Sequence, residues 1–256
     1  MTVDKEALGT RAFAKVPEVT LGFWIIKVLV TTLGETGGDA VTMSMQLGYA
    51  AGTAIFLVLF AVAVVVQVRA ERFHPFPYWT AIIMSTTVGT TLADLVDRSL
   101  GIGYAGGSIL LVLLLLASLA LWKHSTGSID VGSVASTRAG TFYWVTIAFS
   151  QTLGTALGDW SADSAGLGYA GGALLFGSLL LLVALAYFRT SIPRTVLFWT
   201  AFVLTRPLGA VVGDLLDKPP QHGGLGLDRY GASAVLLALV ATLVMVLPQR
   251  PARRAH

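Results

Sequence analysis

The strongest constraint in this sequence is a pattern of tryptophan, glycine and aspartate that occurs four times in register. Each tryptophan follows an aromatic residue, and a glycine and an aspartate stand ten and fifteen residues after it. The tryptophans are Trp24, Trp79, Trp144 and Trp199, the glycines are Gly34, Gly89, Gly154 and Gly209, and the aspartates are Asp39, Asp94, Asp159 and Asp214. Such a period is typical of repeat architectures, in which stacked units bury a common core.

Each copy also contains two long apolar segments, of which the second is almost free of charge. The eight segments are Leu21–Ala40, Leu47–Val68, Pro77–Val96, Gly103–Trp122, Thr141–Trp160, Leu167–Phe188, Ile192–Leu216 and Ala232–Leu247. About 20 apolar residues cross a hydrocarbon core of ~30 Å. Because 55% of the residues are hydrophobic and only 12% are charged, we predict an all-α integral membrane protein with eight transmembrane helices.

The spacing of the tryptophans predicts how the copies are related. The intervals are 55, 65 and 55 residues, so the two halves are offset by 120 residues. Each repeat crosses the membrane twice, so we expect parallel repeats with pseudo-symmetry about the membrane normal. We expect one membrane domain over residues 1–256, with repeats near 20–70, 75–123, 140–190 and 194–248 and cytoplasmic tails at 1–19 and 249–256.

Lysine and arginine are distributed unequally between the two sets of connections. One set holds Lys5, Arg11, Lys15, Arg69, Arg72, Lys123, Arg138, Arg189, Arg194, Arg250, Arg253 and Arg254, and the other holds only Arg98, Lys218 and Arg229. Positive residues concentrate in short cytoplasmic loops, so both termini are predicted to be cytoplasmic. The same bias explains the basic isoelectric point near 9.3, and we expect no nucleic-acid partner.

A polar stripe follows the first helix of each repeat. Positions seven, eleven and fifteen after the tryptophan are four residues apart and therefore share one helical face. These positions are Thr31, Glu35 and Asp39; Thr86, Thr90 and Asp94; Gln151, Thr155 and Asp159; and Arg206, Ala210 and Asp214. Beside them run pairs of small residues four apart, such as Gly34 and Gly38, which let helices approach closely in lipid. We predict that the odd-numbered helices meet about one axis.

The side chains on these stripes favour a hard cation. The chain has no cysteine, and its four histidines lie in loops or tails, whereas carboxylate and hydroxyl oxygens suit Mg²⁺, Ca²⁺ and Mn²⁺. The predicted metal ligands are Glu35, Asp39, Asp94, Asp159 and Asp214, and the predicted counter-charges are Lys27 and Arg206. The neighbours expected to support these ligands are Thr31, Thr90, Asp97, Thr155, Asp163 and Asp217.

Purely structural roles for the same residues remain open. If each tryptophan lies in the aromatic belt at the cytoplasmic interface, each aspartate lies ~22 Å further along its helix and can simply end that helix among the headgroups. Lys27 can extend to the cytoplasmic interface. Glu35 and Arg206 lie deeper, where a charge costs at least ~2.5–3.5 kcal/mol, and they can form a purely structural pair.

The repeat resembles a bacterial membrane-protein family of four tandem "repeats of unknown function", each with two transmembrane segments and a tryptophan. The most specific segments are Thr31–Asp39 and Arg206–Ala210, the latter followed by Gly213 and Asp214. Some members of this family look like manganese exporters. The resemblance therefore implies a secondary transporter in the bacterial inner membrane that exports Mn²⁺, with protons as the natural coupling ion and no permanently bound cofactor.

Three functions other than metal export differ in how they would use the buried charges. A proton-coupled transporter of an organic solute would use Lys27 and Arg206 to hold an anionic substrate. A non-transporting membrane assembly protein would carry the same buried charges without turnover. Enzymatic activity is not expected, because the sequence contains neither H-E-x-x-H nor G-x-S-x-G nor a phosphate-binding loop.

The predicted topology can be tested by labelling single cysteines, since the chain has none of its own. A membrane-impermeant maleimide added to intact cells should label Ser99→Cys and Gln221→Cys, because both loops are expected outside the cytoplasm. Thr190→Cys, beside Arg189 in the positively charged set, is the control that should react only after lysis. The reverse pattern would contradict the topology.

Overall fold

The computed structural model describes residues 14–252, and the expectations for residues 1–13 and 253–256 lie outside this range. All regular elements of the described residues are helical. The long helices are α1 (Leu21–Asp39), α2 (Gly48–Arg69), α3 (Pro75–Asp94), α4 (Tyr104–Thr126), α5 (Thr137–Asp159), α6 (Gly168–Arg189), α7 (Arg194–Asp217) and α8 (Arg229–Val246). They match the eight apolar segments closely, and the prediction of an all-α fold is confirmed.

The ends of the helices follow from local sequence. Thr20, Ser136 and Asp228 accept hydrogen bonds from backbone N–H groups of the first turns of α1, α5 and α8, as capping side chains do. At the opposite ends, α1, α3 and α5 each widen into one π-helical turn, at Ala40–Ser44, Leu95–Ser99 and Trp160–Ser164. Helix α7 has no such turn and remains α-helical to Asp217.

The odd-numbered helices form an inner ring, in which α1 packs on α3, α3 on α5, α5 on α7 and α7 on α1. The even-numbered helices lie outside this ring. Each packs against the odd-numbered helix of the following repeat: α2 on α3, α4 on α5, α6 on α7 and, closing the circle, α8 on α1. Every repeat is therefore held by its neighbours, as expected of units that cannot bury their apolar faces alone.

The outer helices expose large apolar side chains. Leu174 is 73% exposed and Val235 is 68% exposed, and many leucines and valines of α2 and α4 are exposed as well. Five helices, α2, α4, α6, α7 and α8, are long and apolar enough to cross a membrane by length and composition. The remaining helices, α1, α3 and α5, carry more polar residues and lie in the inner ring. The fold is thus of the membrane-protein kind.

Close packing in the inner ring depends on the four repeated glycines. A Cβ atom added to Gly34, Gly89 or Gly209 would lie 3.0, 2.9 or 2.8 Å from a backbone carbon of the next helix in the ring. Each of the four glycines faces the residue seven positions after the tryptophan of the following repeat. The pairs are Gly34 with Thr86, Gly89 with Gln151, Gly154 with Arg206 and Gly209 with Thr31. The small-residue stripe therefore sets the distance between the helices that carry the polar stripes.

The tryptophan end of the ring is closed by eight aromatic side chains, one pair from each repeat. The residue before each tryptophan packs in a tilted or edge-on arrangement against the tryptophan of the next repeat. The ring centroids are 5.5–6.2 Å apart for the pairs Phe23–Trp79, Tyr78–Trp144, Tyr143–Trp199 and Phe198–Trp24. Trp79, Trp144 and Trp199 are buried. These three tryptophans therefore belong to the core rather than to a lipid-facing belt.

Two alanine substitutions compare a glycine at a helix contact with one outside it. Gly209→Ala should lower the free energy of unfolding by about 1–3 kcal/mol, because its methyl group would collide with the backbone of Thr31. Gly177→Ala on α6 meets no atom within 4 Å and should be neutral or slightly stabilising. Thermal unfolding of the purified variants measures both, and equal stability of the two would contradict the packing described.

Candidate metal centre

The four repeated aspartates come together at the end of the inner ring opposite the aromatic side chains. Asp39, Asp94, Asp159 and Asp214, here called the aspartate layer, are each no more than 3% exposed. Each stands at the last α-helical turn of its helix or just before it. Buried carboxylates need charged or hydrogen-bonding partners, so their surroundings show how their charge is compensated.

Three cations, two in connecting segments and one at the start of α8, contact the aspartate layer. Arg98 Nε lies 2.6 Å from Asp94, and Arg98 Nη2 lies 3.6 Å from Asp159. Lys218 Nζ lies 3.1 Å from Asp214 and also pairs with Asp39. Burial opposes the charge of Lys218, but Asp214 and Asp39 outweigh this effect and raise the pKa of Lys218 above its ordinary value.

The third cation, Arg229, enters from the first turn of α8. Its Nε atom lies 2.8 Å from Asp217, and its Nη2 atom lies 3.8 Å from Asp39. Arg98, Lys218 and Arg229 are not among the site residues predicted from the sequence. A signal for two of them was present, because Arg98 and Lys218 each stand nineteen residues after a tryptophan and follow the pattern Asp-x-x-Asp.

The fourth repeat adds a further carboxylate to the layer. Carboxylate oxygens of Asp39, Asp214 and Asp217 all lie within 4.8 Å of one another, and all three residues are buried. We call these three residues the carboxylate cluster. The Oδ1 atoms of Asp39 and Asp217 are buried and lack a hydrogen-bond donor among the described residues. Oxygen atoms of this kind are available to a hard cation.

Asp217 reaches the cluster because α7 stays α-helical at its end. Asp217 comes three positions after Asp214, so both lie on the same α-helical face. The corresponding Asp97 lies in the π-helical turn after α3, is only half-buried and contacts Gly107 of α4. Asp163 is exposed, and its carboxylate accepts a 3.5 Å hydrogen bond from the Tyr104 hydroxyl. The structure therefore brings Asp217 to the site and leaves Asp97 and Asp163 beside it.

The formal charges of this region do not cancel. Asp39, Asp94, Asp159, Asp214 and Asp217 supply five carboxylates, and Arg98, Lys218 and Arg229 supply three cations. Two formal negative charges remain, which one divalent cation would neutralise. Since uncompensated buried charge is costly, this excess calls for a bound cation or for protons on two of the carboxyl groups.

One helical turn deeper, Glu35 and Arg206 form a buried ion pair. Arg206 Nη2 donates to Glu35 Oε2 at 3.0 Å and to the hydroxyls of Thr90 and Thr155, both at 2.6 Å. Arg206 is fully buried and Glu35 is 3% exposed. The guanidinium group thus joins α7 to the other three inner helices, and α7 continues through Pro207 without a break.

The remaining nominated residues have different surroundings. Lys27 is fully buried, but its amine has no hydrogen-bond partner among the described residues and lies 4.3 Å from the centroid of the Phe202 ring. The Thr31 hydroxyl donates to backbone carbonyls, including that of Thr205 at 3.2 Å, and so supports the contact between α1 and α7. Neither residue contacts the aspartate layer through these groups.

The family comparison agrees with the repeat organisation. A family model described as Repeat of Unknown Function (DUF347) matches the chain four times, at residues 22–73, 77–128, 142–192 and 197–248. Each match covers one two-helix unit, so the prediction of four tandem repeats is confirmed. No curated protein and no solved structure matches the chain.

The ion pair between Glu35 and Arg206 can be tested by a double-mutant cycle. Glu35→Gln should lower the free energy of unfolding by about 3–5 kcal/mol, because it leaves the Arg206 charge buried without compensation. Adding Arg206→Gln should recover much of that loss. Glu18→Gln, an exposed carboxylate, is the matched control and should leave the unfolding temperature unchanged. Additive losses in the double variant would contradict a direct pair.

Proposed function

We propose that this chain, which belongs to the family described as Repeat of Unknown Function (DUF347), is a membrane transporter with eight transmembrane helices. Its substrate is a divalent hard cation, for which we propose Mn²⁺, and its role is export from the cytoplasm. The membrane is the bacterial inner membrane, and both termini are cytoplasmic. The carboxylate cluster of Asp39, Asp214 and Asp217 is the observation that carries the proposal.

The outer surface supports placement in a membrane. A soluble monomer rarely exposes large contiguous apolar patches, whereas α2, α4, α6 and α8 present leucine and valine around the ring. In lipid this surface needs no further partner. The inner helices can then be polar, because the outer helices separate much of their surface from the hydrocarbon. Eight spans follow if all eight helices are parallel or antiparallel to the same axis.

The carboxylate cluster supports a divalent cation. Mg²⁺, Ca²⁺ and Mn²⁺ prefer oxygen ligands, and carboxylates are the usual protein donors. Three buried carboxylates within 4.8 Å of one another supply such donors, and two of their oxygens have no hydrogen-bond donor within residues 14–252. The two excess formal charges of the surrounding layer match one divalent ion. Imidazole and thiolate donors are lacking among the described residues of this layer, which favours Mn²⁺ over softer metals.

The arrangement along the ring supports movement rather than storage. The carboxylate cluster lies near one end, the Glu35–Arg206 pair lies one turn deeper, and the aromatic side chains close the other end. An ion that leaves the cytoplasm must pass the aromatic residues and the ion pair before it reaches the aspartates. In this proposal Glu35 receives the ion from the cytoplasmic side, and Arg206 compensates Glu35 once the ion has moved on.

A second candidate function is supported by unpaired donors deeper in the ring. Lys27 Nζ, Arg206 Nε and Arg206 Nη1 are buried without acceptors among the described residues. Donors of this kind suit an anionic group of an organic solute. A transporter of such a solute would bind the organic anion whether or not metal is present, whereas a cation exporter would bind Mn²⁺ and no organic anion.

Flux measurements in liposomes test the proposed function. Purified protein should carry Mn²⁺ into liposomes loaded with a metal-sensitive dye. Asp39→Asn, Asp214→Asn and Asp217→Asn should each reduce the flux at least about tenfold, because each removes a charged ligand. Asp228→Asn is the matched control: Asp228 caps α8 nearby, and asparagine caps equally well.

A loss of flux indicates a lost ligand only in a folded variant, so the thermal unfolding of each variant is measured first. Normal Mn²⁺ flux in folded Asp39→Asn and Asp217→Asn protein would exclude the carboxylate cluster from transport. Binding of organic anions that is insensitive to these variants but lost in Lys27→Met would instead favour the second candidate.

A further inference from the structure

Two cations occupy equivalent places in the second and fourth repeats. Arg98 and Lys218 are 120 residues apart, and each follows the sequence Asp-x-x-Asp. Each bridges two members of the aspartate layer, the aspartate four residues before it and the aspartate of the next repeat. Arg98 joins Asp94 to Asp159, and the equivalent bridge of Lys218 joins Asp214 to Asp39.

The two bridges differ in what surrounds them. Lys218 lies against the carboxylate cluster, where Asp217 supplies a third carboxylate. Arg98 has no such neighbour, since Asp97 turns toward Gly107. Arg98 therefore satisfies two aspartates, whereas Lys218 contacts two residues of a cluster that can hold a divalent ion.

The Lys218 amine and a metal ion require the same carboxylates. Lys218 Nζ contacts Asp39 Oδ2 and Asp214 Oδ1. A divalent cation held by the free Oδ1 atoms of Asp39 and Asp217 and by Asp214 would lie about 2.0–2.6 Å from each ligand oxygen. It would therefore lie close to the Lys218 ammonium, which contacts two of the same three carboxylates, and repulsion between the two positive charges opposes holding both there.

We propose that Lys218 is a tethered competitor for the metal: its amine holds the carboxylate cluster and must withdraw when the cation binds. This inference rests on the proposed function and adds a means of release to it. The amine returns to Asp39 and Asp214 as the ion leaves, so the departing ion does not strand two buried carboxylates. Lys218 is thus a residue that sets metal affinity without being a ligand.

The backbone around Lys218 allows the side chain to move while the loop stays in place. The carbonyl of Lys218 accepts a hydrogen bond from Gly226 N at 2.9 Å, and Leu225 N and Leu227 N donate to carbonyls at the end of α7. The loop therefore remains fixed to the helix. Pro219–His222, which directly follow Lys218, are exposed, so an amine released from the carboxylates can reach solvent beside this loop.

Mn²⁺ binding to purified full-length protein tests the proposal. Lys218→Met should bind Mn²⁺ about tenfold or more tightly than the wild type, because the internal competitor is gone. Its flux through liposomes should fall, because release becomes slow. Arg98→Met is the matched control: it removes one charge from the same layer but leaves the carboxylate cluster untouched, so its affinity should change much less.

The possible outcomes separate this inference from the proposed function. If Lys218→Met and Arg98→Met tighten binding equally, only net charge matters and the competitor role is overturned. Unchanged or weaker binding in Lys218→Met, with binding abolished in Asp39→Asn, overturns the competitor role while retaining the metal site. Absence of Mn²⁺ binding in the wild type and in both charge variants overturns the proposed function itself, and the inference with it.

A second measurement leaves Lys218 in place, which covers the case in which Lys218→Met does not fold. An environment-sensitive fluorophore on Gln221→Cys, the single cysteine of that protein, reports on the loop toward which the amine withdraws. Mn²⁺ should shift its emission, and Asp217→Asn should abolish the shift. Binding of Mn²⁺ without any shift would overturn the withdrawal of Lys218.

Discussion

The close approach of four helices at four glycines is the constraint on which the rest of this structure depends. Gly34, Gly89, Gly154 and Gly209 each receive the side chain or backbone of the next repeat, and a methyl group at any of them would collide with it. This contact draws the polar stripes inward and leaves the apolar faces outside. The aspartate layer and the Glu35–Arg206 pair are consequences of that spacing, because residues on one helical face must then converge on the axis.

Symmetry and its loss have separate roles in this fold. The aromatic pairs and the glycine contacts recur in all four repeats, which suits a structural function. Apart from the four aspartates, the charged residues of the ring do not recur in all four. Glu35 occurs only in the first repeat and Arg206 only in the fourth, and the bridging cations Arg98 and Lys218 recur only in the second and fourth. The carboxylate cluster needs Asp217, which is available because α7 lacks the π-helical turn that ends the other three inner helices. The charged residues that break the four-fold symmetry are therefore concentrated where the first and fourth repeats meet.

Much of the fold follows from the sequence, and the part that does not has physical causes. Hydrophobic segments and the repeat period predict the helices, and the stripe positions predict that Glu35 and Arg206 lie on facing surfaces. The cations that contact the aspartates were not predicted because they lie in connections or, for Arg229, at the first residue of a helix that follows one, and the path of a connection depends on tertiary packing. The placement of Asp217 and Asp97 differs because one π-helical turn changes the side on which a residue three positions later emerges. The pairing of each even helix with the following repeat likewise depends on packing between repeats, which the periodicity of one helix does not encode.

The proposed transport depends on the binding of one divalent cation by Asp39, Asp214 and Asp217 together. Anomalous X-ray scattering from crystals of the full-length protein grown with Mn²⁺ can test this binding, because the signal locates manganese without reference to transport. We expect a single strong peak within coordination distance of all three carboxylates, with the Lys218 amine moved away from it. A peak only elsewhere in the molecule, or none beside these carboxylates at a saturating Mn²⁺ concentration, would contradict it.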